Sequence, residues 1–94
     1  VMPDVMKIGG VTGWLKATSL AEAVGKQVSS HLWPELSAQL LAVGSTSHRL
    51  EYIDWWSEIL VEPLLIEKGL TALSDDSLGT GVLWNMSKVD AYRV

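Results

Sequence analysis

Hydrophobic and polar positions follow two different periods along the N-terminal half of the chain. Residues 1–8 are rich in residue types that favour β-strands, and they end at two glycines. The apolar residues that come next recur at helical spacing: Ala17, Leu20, Ala21 and Val24. Gly25 stands where glycine often ends a helix in the left-handed conformation. The pattern predicts a strand followed by an amphipathic helix.

The same order repeats after Lys26. Residues 27–30 are a short strand candidate, and Pro34 suits a first helical turn, where its missing N–H would have no partner anyway. The apolar stripe of the second helix consists of Leu36, Leu40 and Val43, and Gly44 is expected to close it. A third strand is predicted over residues 48–53. The order β-α-β-α-β implies parallel strands, because each crossover returns the chain to the same end of the sheet.

The alternation of predicted strands and helices ends after Asp54. The remaining sequence predicts an extended run over residues 59–66, a turn near Lys68 and Gly69, and a second extended run over residues 70–73. We therefore divide the chain into residues 1–54, which carry the strands and helices, and residues 55–94, an extended C-terminal segment.

The composition of the chain argues against nucleic acid and membranes as binding partners. The chain has 94 residues, with 7 basic and 11 acidic side chains, and its scattered Lys and Arg offer no stripe for nucleic acid. Its most apolar run, residues 59–66, contains Glu62 and Pro63 and is too short to cross a membrane. The absence of cysteine suits a reducing compartment, so a cytoplasmic location is expected. Because residues 1–7 resemble the middle of an element, we expect a longer parent protein.

Three titratable side chains fall at the ends of the predicted strands. They are Asp4, His31 and Glu51, and parallel α/β folds gather ligands at that end of the sheet. An imidazole there can exchange protons near neutral pH, and Asp4 would orient it. Glu51, if kept protonated, could donate a hydrogen bond to developing oxygen charge. Spacing alone leaves the alternative open that all three are ordinary capping or solvated residues.

Several motifs carry a family resemblance. In order and spacing, they resemble the mandelate racemase and muconate lactonizing enzyme family, in the mandelate racemase-like branch of the enolase superfamily. The matching segments are residues 4–14 (DVMKIGGVTGW), 29–32 (SSHL), 35–38 (ELSA), 40–42 (LLA), 50–51 (LE), 62–63 (EP) and 82–84 (VLW). The resemblance implies an α/β fold, the C-terminal fragment of a (β/α)8 barrel, with residues 55–94 packing on the barrel or on a capping domain.

The resemblance also implies roles for the three side chains. His31 would be one of two acid/base catalysts facing the α-carbon of the substrate, with Asp4 hydrogen-bonded behind it. Glu51 would bind the substrate carboxylate as it becomes an enediolate. Members of the family hold Mg²⁺ with acidic ligands on earlier strands, which also carry a Lys-x-Lys motif that this sequence lacks. We therefore expect Mg²⁺ in the intact enzyme but no metal ligand or cofactor-binding residue in this chain.

The function implied by the resemblance is removal of the α-proton of a 2-hydroxy carboxylate by a racemase. One alternative is an acid-sugar dehydratase of the same family. Another is an inactive fragment that only self-associates through open sheet edges and exposed apolar surface. We expect a small carboxylate substrate and a homo-oligomeric parent enzyme, and we expect the 94-residue chain alone to be inactive.

Overall fold

The structure, a computed structural model, describes residues 1–76 and 78–94. Its helices are α1 (Gly10–Ala23), α2 (Pro34–Ala42), a 3₁₀ helix (Ser57–Ile59) and α3 (Met86–Asp90). The chain separates into two compact units, Val1–Ile53 and Asp54–Val94, which are described in turn. No helix in the described residues is long and apolar enough to span a lipid bilayer.

Helix α1 confirms the first predicted helix. It begins after Gly9, whose φ of 89° is open to glycine but strained for other residues. At its other end the N–H of Gly25 donates to the Glu22 carbonyl at 2.9 Å, and Gly25 has a φ of 62°. This is the left-handed helix end that the glycine predicted.

Helix α2 begins at Pro34, as predicted, and Glu35 in its first turn places negative charge near the positive end of the helix dipole. Gly44 lies directly after the end of this helix, as predicted, and its N–H donates to the Leu41 carbonyl at 3.1 Å. The helix ends at Ala42, and the capping residue is Val43 with a φ of −96°. The C-terminal turn is right-handed, so it does not need glycine's conformational freedom.

Single parallel bridges form within or directly beside the segments predicted as strands, and no continuous strand is present within residues 1–76 and 78–94. Asp4 pairs with His31 and Val28 pairs with Ser47, both in parallel. The first predicted strand, residues 1–8, does not continue past Asp4. There the chain turns, because the Asp4 carbonyl accepts the N–H groups of Lys7 at 3.1 Å and Ile8 at 2.9 Å.

The core of the first unit lies between α1, α2 and the bridged segments. Its buried members are Val5, Trp14, Ala21, Val28 and Leu40. Burial of one such aliphatic side chain contributes about 1.5–3 kcal/mol. Helix α1 approaches the turn after Asp4 so closely that a Cβ at Gly13 would lie 1.7 Å from the Ile8 carbonyl oxygen. Glycine at position 13 is therefore required by packing.

The second unit is held by antiparallel pairing. Leu60 pairs with Trp84, and Glu67 pairs with Leu70 across the predicted turn at Lys68 and Gly69. Both turn residues have positive φ, 51° and 77°.

Helix α3 of the second unit was not predicted. The Asn85 side chain caps it by accepting the Lys88 N–H at 3.3 Å. A short 3₁₀ helix at residues 57–59 was also not predicted, and it includes Ile59, the first residue of the predicted extended run. Its Glu58 accepts a hydrogen bond from the Tyr92 hydroxyl at 2.9 Å, which raises the pKa of Tyr92.

Candidate functional site

The first parallel bridge brings an aspartate and a histidine side by side. Asp4 Oδ2 lies 3.0 Å from His31 Nδ1, although the two residues are 27 positions apart. The Asp4 side chain is 8% exposed and that of His31 is 39% exposed. An ionised carboxylate only accepts hydrogen bonds, so Nδ1 is the donor and the proton of the neutral ring resides there. Nε2 is then the ring nitrogen that can accept a proton.

Asp4 is held in its ionised form by several donors. Its Oδ1 accepts the backbone N–H of Met6 at 2.9 Å and that of Lys7 at 3.3 Å. Burial favours the neutral acid, but it is outweighed by the hydrogen bonds from His31, Met6 and Lys7 and by the Lys7 charge. Together they hold the pKa of Asp4 below its usual value of 3.8. The carboxylate is therefore charged at neutral pH.

The chain after His31 takes an unusual path. Leu32 and Trp33 have φ values of 56° and 51°, in the left-handed region that non-glycine residues rarely adopt. Each such residue typically costs about 1–3 kcal/mol and persists when surrounding contacts hold it. Because Pro34 follows, Trp33 is also kept out of the ordinary helical conformation. This left-handed pair connects His31 to α2.

Glu51 is one of the contacts that hold the left-handed pair. Its Oε2 accepts the backbone N–H of Leu32 at 2.7 Å, and its own backbone N–H donates to Ser30 Oγ at 2.8 Å. Ser30 is fully buried. In this arrangement Oε2 is an acceptor, so a donor role for Glu51 towards substrate would fall to its other oxygen or follow from a rearrangement. That role stays a prediction.

The three predicted site residues thus belong to one connected set of hydrogen bonds. Asp4 bonds the ring of His31, and Glu51 bonds the residue that follows His31. Sequence reasoning missed two serines of the same set, Ser30 and Ser37, both fully buried. A hydroxyl at a core position of an apolar pattern is the signal that points to them, since a buried hydroxyl needs a hydrogen-bond partner.

Other polar residues lie outside this set. His48 Nδ1 is 3.5 Å from Ser29 Oγ at an exposed position, and Asp54 Oδ1 accepts the Ser57 N–H at 3.3 Å. Among the residues that the structure describes, no three His, Asp or Glu side chains are grouped as a metal site would require. The described acidic residues by themselves therefore do not form a site that fits a magnesium ion.

Comparison with known proteins places this geometry in context. Residues 1–88 match the family model described as enolase C-terminal domain-like. A D-gluconate dehydratase from Thermoproteus tenax is 33% identical over 103 aligned positions, which cover 99% of this chain and 20% of that protein. The chain thus spans about a fifth of the length of the curated relatives it matches.

Solved structures agree closely with the backbone. An enolase from Bradyrhizobium, complexed with magnesium and mandelic acid, is 46% identical, with a TM-score of 0.87 over 99% of this chain and 25% of that one. A racemase from Streptomyces coelicolor A3(2) with bound magnesium is 28% identical, with a TM-score of 0.88 over 99% of this chain and 25% of that one.

Proposed function

The chain belongs to the enolase C-terminal domain-like family, and from that membership we propose that it is the C-terminal part of a racemase acting on 2-hydroxy carboxylates. Its α/β fold is that of a fragment of the enolase-superfamily barrel. In the intact (β/α)8 barrel, the bridged segments would lengthen into the strands of a β-α-β-α-β order, and residues 55–94 would pack on the barrel or on a capping domain.

The observation that carries the proposal is the 3.0 Å contact between Asp4 and His31. In the proposed step, the bond between the α-carbon and its hydrogen breaks, and its electron pair enters an enediolate. His31 Nε2 takes the proton, and the ionised Asp4 stabilises the resulting imidazolium through Nδ1. Return of a proton to the opposite face would need a second group from outside this chain.

Glu51 is proposed to hydrogen-bond the substrate carboxylate as charge develops on it, with one oxygen still held by Leu32. We further propose that the intact enzyme binds Mg²⁺ through residues that the described part of this chain does not supply. Magnesium is present in the Bradyrhizobium and Streptomyces structures, which supports this assignment.

The experiment is proton exchange in deuterated water with the full-length, magnesium-loaded enzyme. A racemase should wash deuterium into the α-position of recovered 2-hydroxy acid. His31→Asn should abolish wash-in for the enantiomer whose proton faces His31, whereas His48→Asn, a change at an exposed histidine bonded to Ser29, should leave it unchanged. Absence of both exchange and dehydration across a panel of 2-hydroxy and sugar acids would overturn the proposal.

A dehydratase is the second candidate, favoured by the 33% identity to the D-gluconate dehydratase. The same intermediate would then expel a β-hydroxyl, and protonated His31 would act as the general acid that assists its departure. Accumulation of a 2-keto-3-deoxy acid without deuterium in recovered substrate would select this reaction over racemisation.

An inactive, self-associating state is the third candidate, proposed for the 94-residue chain by itself. A groove of about 500 Å³ runs between the N-terminal segment and α1, and its lining includes the exposed Leu20 and Val24. Apolar surface of this kind favours association. A stable monomer in sedimentation would contradict this candidate. Homo-oligomerisation of the parent enzyme and its cytoplasmic location stay predictions.

A further inference from the structure

The left-handed pair after His31 needs contacts that hold it, and one buried residue supplies two of them, one from its side chain and one from its backbone. Ser37 Oγ donates to the Leu32 carbonyl at 2.8 Å. The backbone N–H of the same serine donates to the Trp33 carbonyl, also at 2.8 Å. One residue of α2 thus binds both carbonyl groups of the left-handed pair.

Leu32 is hydrogen-bonded on both sides of its Cα, at its N–H and at its carbonyl. Its N–H is bound by Glu51 and its carbonyl by Ser37, so the dihedral angles between them are fixed by side chains that come from different segments. Without either contact, a leucine gains by leaving the left-handed region for a negative φ. Such a change would swing the backbone directly after His31.

Ser37 is well suited to act as a fixed support. It is completely buried and lies on the buried face of α2 with Pro34, Ala38 and Leu40. Its hydroxyl therefore cannot exchange the Leu32 carbonyl for a water molecule as hydrogen-bond acceptor. A buried hydroxyl with a satisfied hydrogen bond stiffens its surroundings because the alternative is an unpaired polar group.

We propose that Ser37 is a positioning residue that fixes the left-handed Leu32–Trp33 pair and thereby aims the His31 ring at the substrate while keeping its Nδ1 on Asp4. Ser37 acts through the backbone and touches no reacting atom. The inference rests on the proposed function for its kinetic consequence, whereas its structural consequence at His31 stands independently of the reaction.

The test compares Ser37→Ala with Ser47→Ala in the full-length enzyme. Ser47 Oγ also donates to a carbonyl of α2, that of Leu41, but at the exposed far end of the helix, so it is a matched control. Ser37→Ala should lower kcat for α-proton exchange by about 10-fold, with KM changed less than about 2-fold, because misaimed proton transfer weakens the transition state more than substrate binding. Ser47→Ala should match the wild type.

A second readout does not depend on activity. Proton NMR of the His31 Nδ1–H should show a weakened hydrogen bond to Asp4 in Ser37→Ala, as faster exchange with water or an upfield shift, and no change in Ser47→Ala. If the wild-type enzyme shows no α-proton exchange but its His31 Nδ1–H signal still differs from that of Ser37→Ala, the proposed function is refuted and the positioning role of Ser37 is kept.

Ser37→Cys covers the case in which Ser37→Ala does not fold. A thiol is a weak donor of similar size, so Ser37→Cys should have a kcat below that of the wild type and a weaker His31 Nδ1–H hydrogen bond than the wild type. A folded Ser37→Ala or Ser37→Cys protein with wild-type kcat and a wild-type Nδ1–H signal would overturn the positioning role.

Discussion

Replacement of Asp4 by asparagine tests the His31 site most directly. The Oδ1 of Asp4 binds the N–H groups of Met6 and Lys7, and its Oδ2 binds His31 Nδ1. In Asp4→Asn, the amide oxygen is expected to keep the turn, because both backbone N–H groups require an acceptor. The NH₂ group then faces His31 Nδ1 and can only donate. The ring must therefore carry its proton on Nε2, the wrong nitrogen for a base.

The expected loss follows from the contact that is removed. A hydrogen bond to a charged group contributes about 1.5–3 kcal/mol, and since the His31 ring is partly exposed we take about 2 kcal/mol. That corresponds to about a 30-fold lower kcat, at about 1.4 kcal/mol for each factor of ten. The assay is α-proton exchange by the full-length enzyme, with ¹⁵N NMR of the ring to identify the protonated nitrogen.

Asp90→Asn is the matched control for this substitution. Asp90 pairs with Arg93 at 3.0 Å, with 57% of its side chain exposed, so the same chemical change there should leave kcat unaffected. A folded Asp4→Asn enzyme that keeps at least half of wild-type kcat, or whose His31 still carries its proton on Nδ1, would refute the orienting role of Asp4.

Three further predictions concern stability of the full-length protein. Gly13→Ala should lower the free energy of unfolding by about 3 kcal/mol, because its Cβ would meet the Ile8 carbonyl, and an unchanged urea midpoint would contradict this. Trp14→Ala should lower the free energy of unfolding by about 3–5 kcal/mol. Trp14→Phe should lower it far less, because the indole N–H has no hydrogen-bond partner among the described residues. Equal Tm values for the two variants would contradict this expectation. Folding lowers the pKa of Asp4, so its charge stabilises the native state above pH 3.8 and this contribution is lost as pH falls through the lower folded value. The difference in free energy of unfolding between wild type and Asp4→Asn, measured by denaturation at several pH values, should become smaller as the pH falls below 3.8. A difference that grows over this range would contradict a lowered pKa of Asp4 in the folded state.

Local signals in the sequence predicted the helices of the first unit well. Proline at the start of α2 and glycine after α1 restrict the backbone by their own covalent structure, so their effect does not depend on distant contacts. The missed helix α3 also carries a local signal, because Asn85 is a favoured capping residue. Its length of five residues gave too little apolar periodicity to show a helix.

The predicted site could be located but not fully described from the sequence. Asp4 and His31 come together because parallel pairing aligns the ends of their segments, which the alternating pattern implies. The left-handed conformation of Leu32 and Trp33 has no comparable signal, since both residue types disfavour it. It depends on hydrogen bonds to Glu51 and Ser37, which exist only once the chain has folded.

The separation of the bonded residues along the chain has a consequence for the order of folding. Asp4 and His31 are 27 residues apart, and Leu32 and Glu51 are 19 apart. Closing loops of such lengths carries a length-dependent entropy loss of about 3 kcal/mol each, whereas the turns of α1 and α2 form between near neighbours. The helices should therefore become ordered before the loops close. During refolding of the full-length protein, recovery of helical signal should precede recovery of the proposed activity, because the contacts between Asp4, His31 and Glu51 are among the last parts of the native state to form.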